Sequence, residues 1–95
     1  MTDSRCKTDP GGVKRWFNEL GQCHRLDGPA AEYPSGLKEW WVDGKLHRLD
    51  GHAIEWYSYK EWWIDGVELT QQEFERHPLV VFYRLSEESR CQTQR

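Results

Sequence analysis

The chain has only three cysteines, one methionine and four prolines in 95 residues, and no apolar run approaches the roughly 20 residues of a membrane span. Cys6, Cys23 and Cys91 are odd in number and far apart. That spacing does not describe a disulfide framework, and they read as free thiols. Cys23 adjoins His24, but neighbours in a strand point to opposite faces, and His47 and His52 find no further ligand at metal spacing. No metal and no cofactor is expected. A basic excess is also missing: 13 Lys and Arg stand against 16 Asp and Glu, a formal charge of -3. This balance argues against a protein that tracks nucleic-acid phosphates. Residues Met1 to Pro10 are polar and lack the apolar stretch of a signal peptide. The expectation is a soluble cytoplasmic protein with no membrane partner.

Aromatic residues are abundant: six Trp, four Tyr and three Phe. A large ring buries about 150 to 250 Å², so these side chains can supply one small core that the aliphatic content alone would not. They are organised by an internal repeat. Val13-Lys14-Arg15-Trp16-Phe17, Leu37-Lys38-Glu39-Trp40-Trp41 and Tyr59-Lys60-Glu61-Trp62-Trp63 align, with their first tryptophans 24 and then 22 residues apart. Between them, His24-Arg25-Leu26-Asp27-Gly28 recurs 23 residues later as His47-Arg48-Leu49-Asp50-Gly51.

Each repeat reads as two short strands. Asp43-Gly44 and Asp65-Gly66 have the composition of two-residue hairpin turns, and Asp27-Gly28 and Asp50-Gly51 are read in the same way. The expected fold is mainly β, an antiparallel meander of about seven or eight strands over residues 10 to 70. Thr70-Gln71-Gln72-Glu73 is a capping box that opens a short helix to about Arg76. Pro78 then begins Leu79-Val80-Val81-Phe82-Tyr83-Arg84-Leu85, either a second helix with Pro in its first turn or a final strand. Glu87, Glu88 and Ser89 continue without turn residues and favour helix, giving a helical segment over 71 to 89. Residues 1 to 9 and 90 to 95 are expected to fray.

Hairpin registry through both kinds of Asp-Gly turn sorts the side chains. Val42 would face Lys45, Trp41 Leu46 and Glu39 Arg48, with Arg48 also opposite Ala53 and His47 opposite Ile54. One face then collects Trp16, Trp40 and Trp62 with Leu26, Val42, Leu49, Ile54, Trp56 and Ile64, and is the expected core. The other collects Phe17, Arg25, Glu39, Trp41, Arg48, Glu61 and Trp63, with Ala53 among them. An aromatic stripe flanked by Arg and carboxylates has the composition of an interaction surface, and these seven are the candidate binding residues. Arg15, His52, Trp56 and Tyr57 break the repeat symmetry and are the candidates for specificity. The repeated His-Arg-Leu-Asp-Gly unit reads as a structural device, since a catalytic site is built once. No nucleophile, phosphate loop or separate carboxylate pair emerges, and no enzyme is expected.

Lys38 to Gly51, together with Asp27-Gly28-Pro29-Ala30, resembles the MORN-like repeats of small bacteriophage, bacterial and giant-virus proteins, over about residues 13 to 70. The resemblance implies a β-meander used for binding and, in the phage setting, a small protein acting in the host cytoplasm on a host factor or defence system, as anti-CRISPR proteins do. A host protein of unknown identity is thus the first expected partner. Two other readings stand beside it: a small-ligand or signalling-nucleotide binder using stacked Trp and Arg, and a structural homo-oligomer.

Overall fold

The computed structural model describes residues 5–93, with side chains through 87. Nine strands and two helices follow in chain order: β1 (Arg5–Thr8), β2 (Lys14–Phe17), β3 (Ala31–Glu32), β4 (Lys38–Glu39), β5 (Trp41–Val42), β6 (Lys45–Leu46), β7 (Ile54–Trp56), β8 (Tyr59–Ile64), β9 (Val67–Leu69), α1 (Gln71–Arg76) and α2 (Pro78–Thr93). Seven strands form one antiparallel sheet in the order β1-β2-β3-β4-β7-β8-β9, and β5-β6 form a separate hairpin. The mainly β meander with C-terminal helices is therefore the fold. Arg5–Thr8, expected to fray, pairs instead with β2, closed by a turn in which the Asp9 carboxylate accepts the Gly11 and Val13 N–H groups. The segment after Pro78 is helical and runs past residue 89 to Thr93. Residues 1–4 and 94–95 lie outside the described range.

The turn chemistry separates the two Asp-Gly types. Asp43 and Gly44 have φ of 50° and 80°, and Asp65 and Gly66 have 51° and 79°, so both pairs occupy the left-handed region that a tight hairpin needs. Trp41 faces Leu46 and Val42 faces Lys45, as the turn dictates. Asp27-Gly28 and Asp50-Gly51 do not share that geometry: none of the four has a positive φ. The chain there is a bent crossing, not a hairpin. Consequently Glu39 faces Ile54, not Arg48, and Ile54 faces Glu61 on its other side.

The crossing stitches successive repeats together. The His47 N–H donates to the Trp40 carbonyl of its own repeat, and the next N–H, of Arg48, donates to the Trp63 carbonyl of the following one. His24 and Arg25 do the same with Trp16 and Trp41. Alanine stands where the crossing meets the next strand: Ala30 and Ala53 have 0% exposure, and their N–H groups donate to Glu39 and Glu61 carbonyls at 2.7 Å. Ala53, placed on the outer face by its sequence register, is thus buried because the crossing does not continue the strand alternation.

The capping box forms as the sequence dictates, with the Thr70 hydroxyl accepting the Glu73 N–H and the Glu73 carboxylate accepting the Thr70 N–H. It seats α1 so that Phe74 meets Val80 of α2 and Ile64 of β8, with Leu49, Trp62 and Leu69 around them. This core lies at the C-terminal end of the sheet. Leu26 remains exposed, and Ile54 and Trp56, assigned to the same face as Leu49, lie on the other face, because they pair with Glu61 and Tyr59, which alternate with Trp62 and Ile64 along the strand.

Candidate functional site

The repeated Arg is held on every side. Arg48 Cζ lies 3.8 Å from the centre of the Trp40 ring, and Arg25 Cζ lies 4.0 Å from that of Trp16. Nε donates to the Asp two residues on, Asp50 at 2.7 Å and Asp27 at 2.9 Å. One terminal nitrogen donates to the carbonyl four residues on, that of His52 or Pro29. The far side of each guanidinium meets glycine: a Cβ on Gly51 would stand 3.2 Å from Arg48 Cζ, and one on Gly28 3.1 Å from Arg25 Cζ. A Cβ at either position would crowd the guanidinium, which would have to give by a few tenths of an ångström, whereas φ there makes no demand for glycine. The Arg residues stack on the first tryptophan column, and the expected Glu39–Arg48 ion pair is replaced by Arg48–Asp50.

The histidines complete the same device. Nδ1 of His24 accepts the Asp43 N–H, and Nδ1 of His47 accepts the Asp65 N–H, both at 3.0 Å. Each histidine thus holds the hairpin of the next repeat in place, a contact the sequence does not announce. His52 makes an edge contact to a tryptophan, its ring standing at 85° to Trp62, while its Nε2 meets Glu55.

The second aromatic column is anchored by carboxylates. Trp41 Nε1 donates to Glu39 at 3.0 Å, and Trp63 Nε1 donates to Glu61 at 2.8 Å. The hydroxyls of Tyr33 and Tyr59 donate to the same two glutamates, and the bond from Tyr59 holds its phenol pKa above the ordinary value. Phe17, Trp41 and Trp63 are half-buried. Trp62 and Ile64 alternate with Trp63 along β8, so the helix-covered core lies on the other side of the strand.

Of the residues that break the symmetry, Arg15 pairs with Asp9 at 3.3 Å and lies over Tyr33. Trp56 donates its indole N–H to the Ser35 carbonyl, and Tyr57 packs on Trp56 at the β7–β8 turn. Burial pushes the Cys23 thiol up, and its Sγ lies 3.7 Å from the Ala30 carbonyl, so it is poorly suited to act as a thiolate.

Sequence reasoning missed a cavity of about 430 Å³ on the first-column side, lined by Leu26, Trp40, Val42, Leu49 and Tyr83 together with the two Arg-Asp pairs. It also missed the outer side of α2, where Leu79, Val81, Phe82 and Leu85 are all exposed. The signal was present in Leu79-Val80-Val81-Phe82, a run too apolar for a helix that buries a single stripe. Among the described residues no three His, Cys, Asp or Glu side chains gather as metal ligands, and no helix is long and apolar enough to cross a membrane.

Comparison with known proteins finds no matching family model, curated protein or solved structure. The MORN-like resemblance therefore rests on the repeat residues themselves.

Proposed function

We propose that the chain is a non-enzymatic protein-binding module that uses the face carrying Phe17, Trp41 and Trp63 with Glu39 and Glu61. In the phage setting that the repeat resemblance implies, its partner is a host protein that it inhibits, such as a component of a defence system. The observation that carries this reading is the repeated indole-to-carboxylate bond, Trp41 to Glu39 and Trp63 to Glu61, on the side of the sheet away from the helical core. Two half-exposed indoles fixed in one orientation lose little side-chain entropy on binding, which is the property of aromatic anchors in interfaces. The carboxylates beside them suit a partner that presents Arg or Lys to an indole face. Arg25 and Arg48, which the sequence groups with this face, serve the fold from the other side.

Affinity capture from host lysate with wild type and with a Trp41→Ala/Trp63→Ala variant tests the reading. The wild type is expected to retain a specific partner that the double variant loses while keeping its circular dichroism spectrum. Equal recovery by a folded double variant removes this face as the docking surface.

A further inference from the structure

One grouping of side chains recurs within the molecule. Arg25 lies over Trp16 and pairs with Asp27, and Arg48 lies over Trp40 and pairs with Asp50. Away from the repeated unit, Arg15 lies over Tyr33 and pairs with Asp9. In each case an aromatic ring and a carboxylate together hold one guanidinium.

The second aromatic column has the ring and the carboxylate but not the guanidinium. Trp41 donates to Glu39 and Trp63 to Glu61, yet among the described residues no cation pairs with either glutamate and none lies over either indole. Lys38 and Lys60 adjoin the glutamates in sequence, but strand alternation turns them to the other side of the sheet. The printed donors to these carboxylates are indole N–H and tyrosine hydroxyl groups, all neutral, so the negative charges are not offset. A carboxylate has about four acceptor sites, and two are used on each, which leaves room for a further donor. The two positions are also in register. Glu39 on β4 and Glu61 on β8 both face Ile54 of the strand between them, so they stand two strand spacings apart, about 9.5 Å.

We infer that this face takes two arginine side chains of the partner, one at Trp41 and Glu39 and one at Trp63 and Glu61, with their guanidinium groups about 9.5 Å apart. The inference rests on the partner-binding reading above and names its chemistry. Arginine is selected over lysine because a planar guanidinium can stack on a ring while donating to a carboxylate, as Arg25 and Arg48 do within this chain. The partner thereby completes on one side of the sheet the grouping that the chain completes for itself on the other.

A nitrogen-15 NMR titration of the full chain with the capped peptide Arg-Gly-Gly-Arg, whose end residues reach about 10 Å apart, is the test. Salt at about 0.15 M screens long-range attraction. The indole N–H resonances of Trp41 and Trp63 should move and saturate with a dissociation constant on the order of 1 mM, while those of Trp16 and Trp40, already covered by Arg25 and Arg48, stay in place. Lys-Gly-Gly-Lys, of equal charge, should bind at least about threefold more weakly. A single capped arginine should fall short by more than the roughly twofold that two independent sites would give. Glu39→Gln/Glu61→Gln keeps an acceptor for each indole and removes the charge, so it should retain the wild-type circular dichroism spectrum and lose affinity at least about fivefold. No saturable movement, equal binding of the lysine peptide, no gain over single arginine, or undiminished binding by the Gln variant each overturns the inference. The reading above survives such a failure if Trp41→Ala/Trp63→Ala still loses the captured partner, because the face then binds by other chemistry.

Discussion

Arg48 lies over the indole of Trp40, its Cζ 3.8 Å from the ring centre, with Gly51 close against its guanidinium. This relationship, repeated by Arg25, Trp16 and Gly28, explains why Arg and Gly recur together in the chain although they are three residues apart and Gly needs no special backbone angle.

A double-mutant cycle checks that explanation. At an ordinary φ, the unfolded-chain contribution of Gly51→Ala is a stabilisation of about 0.4 to 1 kcal/mol. With Arg48 present, the new Cβ at 3.2 Å from Cζ forces the guanidinium away from Trp40, and the gain is cancelled or reversed. In an Arg48→Ala background the stabilisation should reappear. Urea denaturation of the four proteins is expected to give a coupling of about 1 kcal/mol; additive effects would show that Gly51 and Arg48 do not share the space.

The acid limb of stability has a defined origin. Asp9 is held below its ordinary value of 3.8, chiefly by the Val13 N–H and further by the Gly11 N–H and Arg15, against the opposing effect of desolvation. Asp27 is held below 3.8 first by the hydrogen bond from Arg25 and then by its charge. A carboxylate whose folded value is depressed adds stability above its unfolded value and loses it as pH falls through the folded one. The urea midpoint should therefore drop as pH falls below 3.8, and the Asp9→Asn/Asp27→Asn variant should show a flatter drop. An unchanged acid limb in that variant would assign the loss to other groups.

How far the sequence speaks for the fold depends on whether the relevant contact is local. The Asp43-Gly44 turn, its Trp41–Leu46 pairing and the Thr70–Glu73 capping box each lie within a few residues, and all are readable from composition and spacing. Asp50-Gly51 looks the same in sequence but differs in structure, because Arg48 takes the space beside Gly51 and the next N–H bond goes to Trp63. That long-range bond removes the strand alternation on which the face assignment rested. Arg25 and Arg48 consequently sit with Trp16 and Trp40, whereas Glu39 and Glu61 stay with Trp41 and Trp63 through bonds spanning two residues. The run Leu79 to Phe82 announces that α2 is too apolar to bury all of its apolar side chains, but periodicity does not say which of its sides the sheet covers.

Tyr57 occupies the first position of the β7–β8 turn with a φ of 53° and is 82% exposed. A side chain with a Cβ pays about 1 to 2 kcal/mol in that region, and Asn less than Tyr. Its ring gains only a tilted contact with Trp56, 5.4 Å between centres. Tyr57→Asn should therefore raise the urea midpoint, by up to about 1 kcal/mol in stability. A lowered midpoint would mean that the Tyr57–Trp56 contact outweighs the backbone strain.

The largest effect of a single substitution is expected at Phe74, which is 2% exposed and tilted against Trp62 at 6.5 Å between ring centres. Phe74→Ala removes the main cover of the floor made by Leu49, Trp62 and Ile64, and truncation of a buried Phe costs about 3 to 5 kcal/mol. A small domain has roughly 5 to 15 kcal/mol in total, so most of the stability would be lost. Leu26→Ala makes the comparison: Leu26 is Leu49's counterpart one repeat earlier, but it is 67% exposed, so the cost should stay within about 0.5 kcal/mol. Urea denaturation at low protein concentration measures both. If Phe74→Ala were as mild as Leu26→Ala, the helices would be bystanders, and the difference between the covered and the open repeat would carry no energy. If the two differ as expected, the Leu of the repeated unit is worth several kcal/mol where the helices cover its surroundings and almost nothing where it stays exposed.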